Sequence, residues 1–369
     1  MKKILSSLLA LSVLFGSAAY LGNPETADMN FGTQAYAADI VKSGECGENL
    51  TWTLDSNGLL SIKGTGEMTD WRYYSLGHNQ TSLGEVKFQG EAVPWFENRE
   101  QIKSIDIGEG VESIGALAFI GVENAKNVNI PNSVTKIEQF AFLCCSSLKN
   151  VKIPYGIEAI SKSTFTCCNL LESVSIPPTV KYIEDGAFEL CFNLTKINIP
   201  ESVEVINFSA FRNCARLTSV KIPSSVKEIG NYAFADCYNL ESIIIMNPEC
   251  EIYDSIKTLS RDIDKCNVYG YENSTSQAYA EKYGYKFVAV MLGDVDFDGA
   301  VNSSDASLIL AEYAASATGG ELVLNDSSHI VADVNGDNTV DSSDASTVLA
   351  YYAYTATGGE LSLADFIEK

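Results

Sequence analysis

The sequence predicts a solenoid of short strands and turns, mainly β, followed by a small all-α module of paired loop–helix motifs. Three observations carry this. Apolar residues recur every 23 residues between positions 104 and 241. Two acidic loops of matching pattern stand 39 residues apart near the C-terminus. A short apolar run follows Lys2 and Lys3.

The chain has 369 residues, 46% of them hydrophobic, and a formal charge of −23. It can bury a core, and its length predicts two or three domains. Phosphate backbones and anionic membrane surfaces both need basic patches, so nucleic acid is not an expected partner. The apolar run over 4–15, the small residues after it and Ala35-Tyr36-Ala37 read as a secretory signal peptide over 1–37. An earlier cut at Ser17-Ala18-Ala19 is the alternative. The run is short for a membrane span, no Cys follows it closely, and no later stretch is long and apolar enough to cross a bilayer. The mature protein is expected to be secreted and extracellular.

Six copies of the 23-residue unit are visible. One reads Leu148, Val151, Ile153, Pro154, Ile157, Ile160, Phe165, Cys168, Leu171. Pro recurs at 131, 154, 177, 200 and 223, and Phe at 119, 142, 165, 188, 211 and 234. One unit cannot bury its apolar side alone, but stacked neighbours cover it. The Val-x-Ile alternation predicts a short strand with two residues pointing in. Proline ends it, because it cannot donate to a ladder. The Phe and the following Leu fill the core from a turn or short helix, with no room for a long helix. This is a leucine-rich-repeat signature.

Cys145, Cys168, Cys191, Cys214 and Cys237 fall one per repeat. Stacked equivalent positions lie about 4.8 Å apart with parallel side chains, whereas a disulfide needs Cβ atoms about 3.8 Å apart. A ladder of buried free thiols is therefore expected. Cys144 and Cys167 adjoin it, and Cys250 and Cys266 lie outside it as the better disulfide candidates. No C-x-x-C pair occurs to suggest zinc.

The repeat block resembles the BspA-like leucine-rich repeats of bacterial surface and secreted proteins. Cys46-Gly47-Glu48-Asn49-Leu50-Thr51-Trp52-Thr53-Leu54 and Gly64-Thr65-Gly66-Glu67-Met68 are similar to that family's N-terminal cap. Val93-Pro94-Trp95-Phe96 is similar to its lead into the first repeat, and the run 279–287 to its closing helix and strand. The resemblance covers roughly 44–290 and implies a solenoid making protein or cell-surface contacts. Outward strand residues are polar and small: Asn127 and Asn129, Asn150 and Lys152, Ser173 and Ser175, Lys196 and Asn198, Ser219 and Lys221. Three Lys there suit an acidic partner or a polyanionic glycan, or else mark a solvated face. Aromatic platforms for sugars are missing from these positions.

The acidic loops place oxygen-bearing side chains at positions 1, 3, 5, 9 and 12: Asp294, Asp296, Asp298, Asn302 and Asp305, then Asp333, Asn335, Asp337, Asp341 and Asp344. With the backbone carbonyls of Ala300 and Thr339 at position 7, this is the spacing of a twelve-residue Ca²⁺ loop. Gly299 permits the sharp turn at position 6, where the second loop has Asn338. The predicted cofactor is Ca²⁺, two ions. Each loop leads into a helix that stops at Gly-Gly, 319–320 and 358–359. Position 12 is Asp rather than Glu, and no helix enters the first loop.

Those features resemble a type I-like dockerin over about 292–363. The resemblance implies docking onto a cohesin module of a scaffoldin, in a cellulosome. It places cohesin contacts at Ser303, Ser304, Ser307, Leu308 and Ala311, or at Ser342, Ser343, Ser346, Thr347 and Ala350. The matched Ser pairs allow two docking orientations. The copies diverge where Glu312 and Ala315 become Tyr351 and Tyr354. Aromatic anchors would favour the second helix; alternatively these tyrosines close the module's own small core.

The expected organisation is a signal peptide over 1–37, an N-terminal cap over 38–103, repeats over 104–241, a C-terminal cap over 242–290 and the dockerin over 292–369. His78 and His329 are the only histidines, which leaves no basis for a Ser/His/Asp or Cys/His enzyme. The expected function is a secreted, non-catalytic cellulosome component associated with polysaccharide catabolism, its solenoid binding a protein or cell-surface partner. Alternatives are a carbohydrate-targeting module, a structural spacer or decoy, or a glycoside hydrolase-type activity.

Overall fold

Three antiparallel strands, Ile40–Gly47, Leu50–Asp55 and Leu59–Gly64, begin the stack. The computed structural model describes residues 38–71, 73–75, 87–88, 92–260, 262–324, 326–337 and 339–367. The expected signal peptide, His78 and Asn338 lie outside the described residues. From Leu59–Gly64 the pairing turns parallel and runs through Ser104–Ile107, Asn127–Asn129, Asn150–Lys152 and Ser173–Ser175. The unit at 196–198 forms no strand, although Ile197 and Ile199 still point inward and are buried. A second parallel run, Ser219–Ile222, Ser242–Ile245, Asn267–Gly270 and Lys286–Ala289, completes a β-solenoid of about eight turns.

The core follows the period. Phe119, Phe142, Phe165, Phe188, Phe211 and Phe234 are fully buried and stack ring on ring, with centroids 5.1–5.5 Å apart. Trp95 continues the stack 5.8 Å below Phe119. Trp52 and Trp71 stand edge-on to Trp95 at 5.6 and 5.5 Å, and the Trp95 indole donates to Ala118 O at 2.8 Å. A stack of aromatic rings thus ends on three indoles rather than in water, which is what a solenoid cap must provide.

Two features have no counterpart in the expectation. A second row of mostly two-residue parallel strands runs along the opposite edge of each turn, including Lys136–Ile137, Ala159–Ile160, Tyr182–Ile183, Val205–Ile206, Glu228–Ile229 and Glu251–Ile252. The turn after it holds two left-handed residues per repeat. One column is Leu117, Phe140, Ser163, Gly186, Ser209 and Tyr232, and the other Gly121, Cys144, Cys167, Leu190, Asn213 and Asp236. Such a conformation costs an L-residue about 1–2 kcal/mol. Neighbouring copies impose the same curvature, so stacking overrides the local preference.

Among the described residues all ten cysteines are free and buried. Each ladder thiol donates to a carbonyl 26 residues earlier, Cys145 to Phe119 and Cys191 to Phe165 at 3.2 Å, Cys168 to Phe142 and Cys214 to Phe188 at 3.4 Å. Cys237 meets Phe211 O at 3.2 Å. Cys144 and Cys167 hydrogen-bond to each other. Cys250 and Cys266 are not joined, contrary to expectation. Cys266 donates to Asn267 O at 3.9 Å rather than to a carbonyl 26 residues earlier, and Cys250 sits beside Glu228 and Glu251. Burial pushes both thiols up to about 12.

The closing helix α1, Thr275–Tyr283, is capped by the Ser274 hydroxyl, which accepts from Gln277 N, and ends at left-handed Gly284. Beyond the strand Lys286–Ala289 the chain becomes helical: α2 (Ser303–Thr318), α3 (Asp326–Ala332), α4 (Ser342–Ala356) and α5 (Leu363–Ile367). Helix α3 leads into the second acidic loop. Among the described residues no helix is long and apolar enough to cross a membrane.

Candidate metal loops and docking faces

The two acidic loops fold alike because their side chains hold their own backbones. Asp294 accepts from Asp298 N at 3.1 Å and from Gly299 N at 3.0 Å. Asp296 also accepts from Asp298 N, at 3.1 Å, and Asp298 accepts from Ala300 N at 2.8 Å. In the second loop Asp333 and Asn335 accept from Asp337 N at 3.1 and 2.9 Å, and Asp337 accepts from Thr339 N at 2.8 Å. Asn302 Nδ2 donates to Ala300 O at 3.3 Å, so the first loop's position-7 carbonyl lies beside its position-9 side chain.

Position 12 does more than its spacing predicts. Asp305 Oδ1 accepts from Val295 N at 2.7 Å, and Oδ2 from Asn302 N at 2.8 Å. Asp344 repeats this with Val334 N at 3.0 Å and Asp341 N at 2.9 Å. Asn302 and Asp341 in turn accept from Ser304 N and Ser343 N as the N-caps of α2 and α4. Each loop therefore closes on a reciprocal capping box. The sequence signal was legible, Asn or Asp followed three residues later by Asp, but the metal pattern shares those positions.

One carboxylate oxygen each from Asp294, Asp296 and Asp305 lies within 4.8 Å of the others. Asp294 and Asp305 are 2% and 0% exposed, as is Asp344 at 0%. Burial pushes all three carboxyls up, with the Asp305 charge adding to it at Asp294 and the Asp333 charge at Asp344. The first loop's converging oxygens, two of the three on buried side chains, suit a hard divalent cation. The second loop places Asn335 where the first has Asp296, and Asp341 where the first has Asn302, so both carry four carboxylates among the paired positions.

The helical residues expected to meet a partner divide. Ser303, Ser304, Ser307 and Ala311 on α2, and Ser342, Ser343, Ser346 and Ala350 on α4, are exposed; Leu308 and Thr347 are half-buried. Tyr351 and Tyr354 do not extend the α4 face. Tyr351 donates to Leu361 O at 3.1 Å, and both rings pack on Phe366 of α5, at 5.7 and 5.2 Å. They clasp the segment after α4, which is the alternative role open to them from sequence. Glu312, the counterpart of Tyr351 on α2, is 1% exposed and ties down the segment after its own helix by charge. It accepts from Val323 N and Leu324 N at 2.7 and 2.9 Å, and lies 3.1 Å from His329. The exposed apolar residues are others: Leu310 and Tyr313 on α2, 42% and 43% exposed, and Leu349 and Tyr352 on α4 with the same two values. Spacing of three keeps each pair on one side of its helix.

On the solenoid the outward strand side chains bond along the stack, as Asn129 to Asp106 at 3.0 Å and Ser173 to Asn150 at 2.7 Å. That is a solvated polar face rather than a cleft.

Comparison with known proteins agrees with this anatomy. A model of the BspA type leucine rich repeat region matches residues 94–215 and 181–270 with 6 copies, and one of the dockerin type I domain matches residues 292–351. Both describe non-catalytic interaction modules, and no enzymatic domain is found. No curated protein matches the chain. Among solved structures, a leucine-rich repeat protein of T. pallidum is 22% identical, with 53% of this chain and 91% of that one covered and a TM-score of 0.38. One from Eubacterium ventriosum is 17% identical over 63% and 79%, TM-score 0.28. A leucine-rich cell surface protein of Faecalibacterium prausnitzii is 18% identical over 68% and 94%, TM-score 0.26.

Proposed function

For a chain that joins BspA-type leucine-rich repeats to a type I dockerin, we propose the role of a secreted, non-catalytic component of a cellulosome-type assembly. The dockerin, over 292–369, takes up two Ca²⁺ ions and plugs into a cohesin module of a scaffoldin. The solenoid, with repeats over 104–241 between caps at 38–103 and 242–290, presents its polar strand face to a protein or cell-surface partner. The absence of aromatic rings from the outward positions of the first strand row, Ser104 to Lys221, favours that over a sugar chain.

The observation that carries this reading is that both loops reach the same self-bonded geometry and project equivalent exposed faces, Ser303–Ser304 with Leu310 and Tyr313, and Ser342–Ser343 with Leu349 and Tyr352. Asp294, Asp296, Asp298, Asn302 and Asp305 with the Ala300 carbonyl would hold one ion. Asp333, Asn335, Asp337, Asp341 and Asp344 with the Thr339 carbonyl would hold the other. The cation would neutralise carboxylates whose charged form burial disfavours. The helix faces then supply the partner contacts from a rigid base.

The test is binding of the full chain to a panel of cohesins with Ca²⁺ and in excess chelator. The reading predicts capture by at least one cohesin only with Ca²⁺, weakened most when Leu310, Tyr313, Leu349 and Tyr352 are all replaced by Ala. Binding that persists in chelator, or no capture by any cohesin, refutes it.

A further inference from the structure

The outward columns of the solenoid change character at its end. One column reads Asn129, Lys152, Ser175 and Lys221, then Ile244 and Tyr269. In place of the recurring proline at the next step stands Met246. Ile244 should be exposed by its register, yet it is 1% exposed. The dockerin covers it: a single apolar cluster unites Ile244 and Val290 with Val295, Val301, Ile309 and Val331, and Met246, Tyr269 and Phe297 pack against it. The Tyr269 and Phe297 rings are 5.5 Å apart.

Phe297 is position 4 of the first acidic loop, and its backbone is left-handed at φ 56°. The second loop has Gly336 there, also left-handed at φ 73°, exposed and with open space where a Cβ would lie. Both loops need this conformation, which costs glycine nothing and an aromatic residue much. Only the first loop carries a side chain at this place, and that side chain reaches the solenoid.

We infer that the last two strands of the second solenoid sheet before its closing strand, through Ile244 and Tyr269, form a built-in seat for the first acidic loop, and that filling this loop with a divalent cation is linked to the seat while filling the second is not. The inference rests on the calcium reading of the loops. Holding Phe297 fixes the backbone between the ligands Asp296 and Asp298, so less conformational freedom is lost when the cation orders the loop. By reciprocity a cation in the first loop tightens the seat. The seat leaves the exposed faces of α2 and α4 free, so partner docking does not require release.

The test is calorimetric titration of Ca²⁺ into the full chain, as wild type and as Tyr269→Ala, Tyr269→Phe, Phe297→Gly and the Tyr269→Ala/Phe297→Gly double variant. The expected result is one of two sites weakened about fivefold to tenfold by Tyr269→Ala, with the other unchanged and Tyr269→Phe close to wild type. Phe297→Gly gives the first loop the residue of the second without touching the solenoid, and should weaken the same site. The double variant should be no worse than the more impaired single one. Two unaltered sites in Tyr269→Ala, equal weakening of both, or additive losses in the double variant would overturn the linkage and leave the calcium reading standing. No Ca²⁺ uptake by the wild type would overturn both.

Discussion

In the solenoid the fully buried side chains are almost all apolar, one Phe and one Cys to a turn; in the dockerin they include Asp294, Asp305, Asp344 and Glu312 among a handful of Val, Ala and Ile. The first region gains stability by removing hydrocarbon from water, in identical units that cover one another. The second spends its interior on carboxylates that repel each other and hold loop backbones. A stack of this kind folds from its own side chains. On the proposed reading, a small module built around charge takes a counter-ion to fold. The difference sorts the two regions by what should break each.

The largest effect is expected from Asp305→Ala with Asp344→Ala. Each loses a proposed loop ligand and the reciprocal half of a helix cap, so the helical circular-dichroism signal of α2 and α4 should disappear with Ca²⁺ present. The repeats should keep their own unfolding transition. Next, Phe165→Ala opens a cavity in the middle of the ring stack. It should cost the solenoid about 3–5 kcal/mol in denaturant unfolding while leaving Ca²⁺ titration of the dockerin unchanged. An equal loss in both regions would erase the contrast.

pH sharpens it further. Burial raises the Asp294, Asp305 and Asp344 carboxyls above their ordinary value of 3.8. A raised folded-state pKa contributes stability that is present below the unfolded pKa and is lost as pH rises through the folded one. Without metal the dockerin should therefore melt at a higher temperature in the acid carboxylate range than at neutrality. With Ca²⁺ the order reverses, because protons displace the ion. Thermal melts of the helical signal in chelator and in Ca²⁺ read both signs.

A smaller effect separates the ladder from a disulfide framework. Thiol titration of the native chain should find no readily reactive group, and unfolding without reductant should expose all ten. The smallest change is expected at Lys227, which bonds exposed Glu204 at 2.6 Å along the stack. Lys227→Ala should leave the melting temperature where it was, as surface pairs do.

Much of this was legible in the sequence because periodicity reports burial directly. Phe, Cys and the Val-x-Ile pair mark the inward positions, and alternate acids mark the loops. The left-handed columns were not, since Leu117, Phe140 or Tyr232 is locally a poor choice and only its stacked copies enforce it. The two-residue strands at Ile137 or Ile160 are too short to show an alternation. Tyr351 and Tyr354 were open to two roles until the position of Phe366 was known. The seat at Ile244, Met246 and Tyr269 was written as a break in the polar column, but what covers it depends on how the chain turns after Val290.

Hydrogen exchange along the full chain, compared in Ca²⁺ and in excess chelator, addresses the contrast most directly. Removing the cation should strip protection from the amides of residues 294–367 and leave those of 104–241 protected as before. Unchanged protection in the dockerin, or a matching loss through the repeats, would contradict the account.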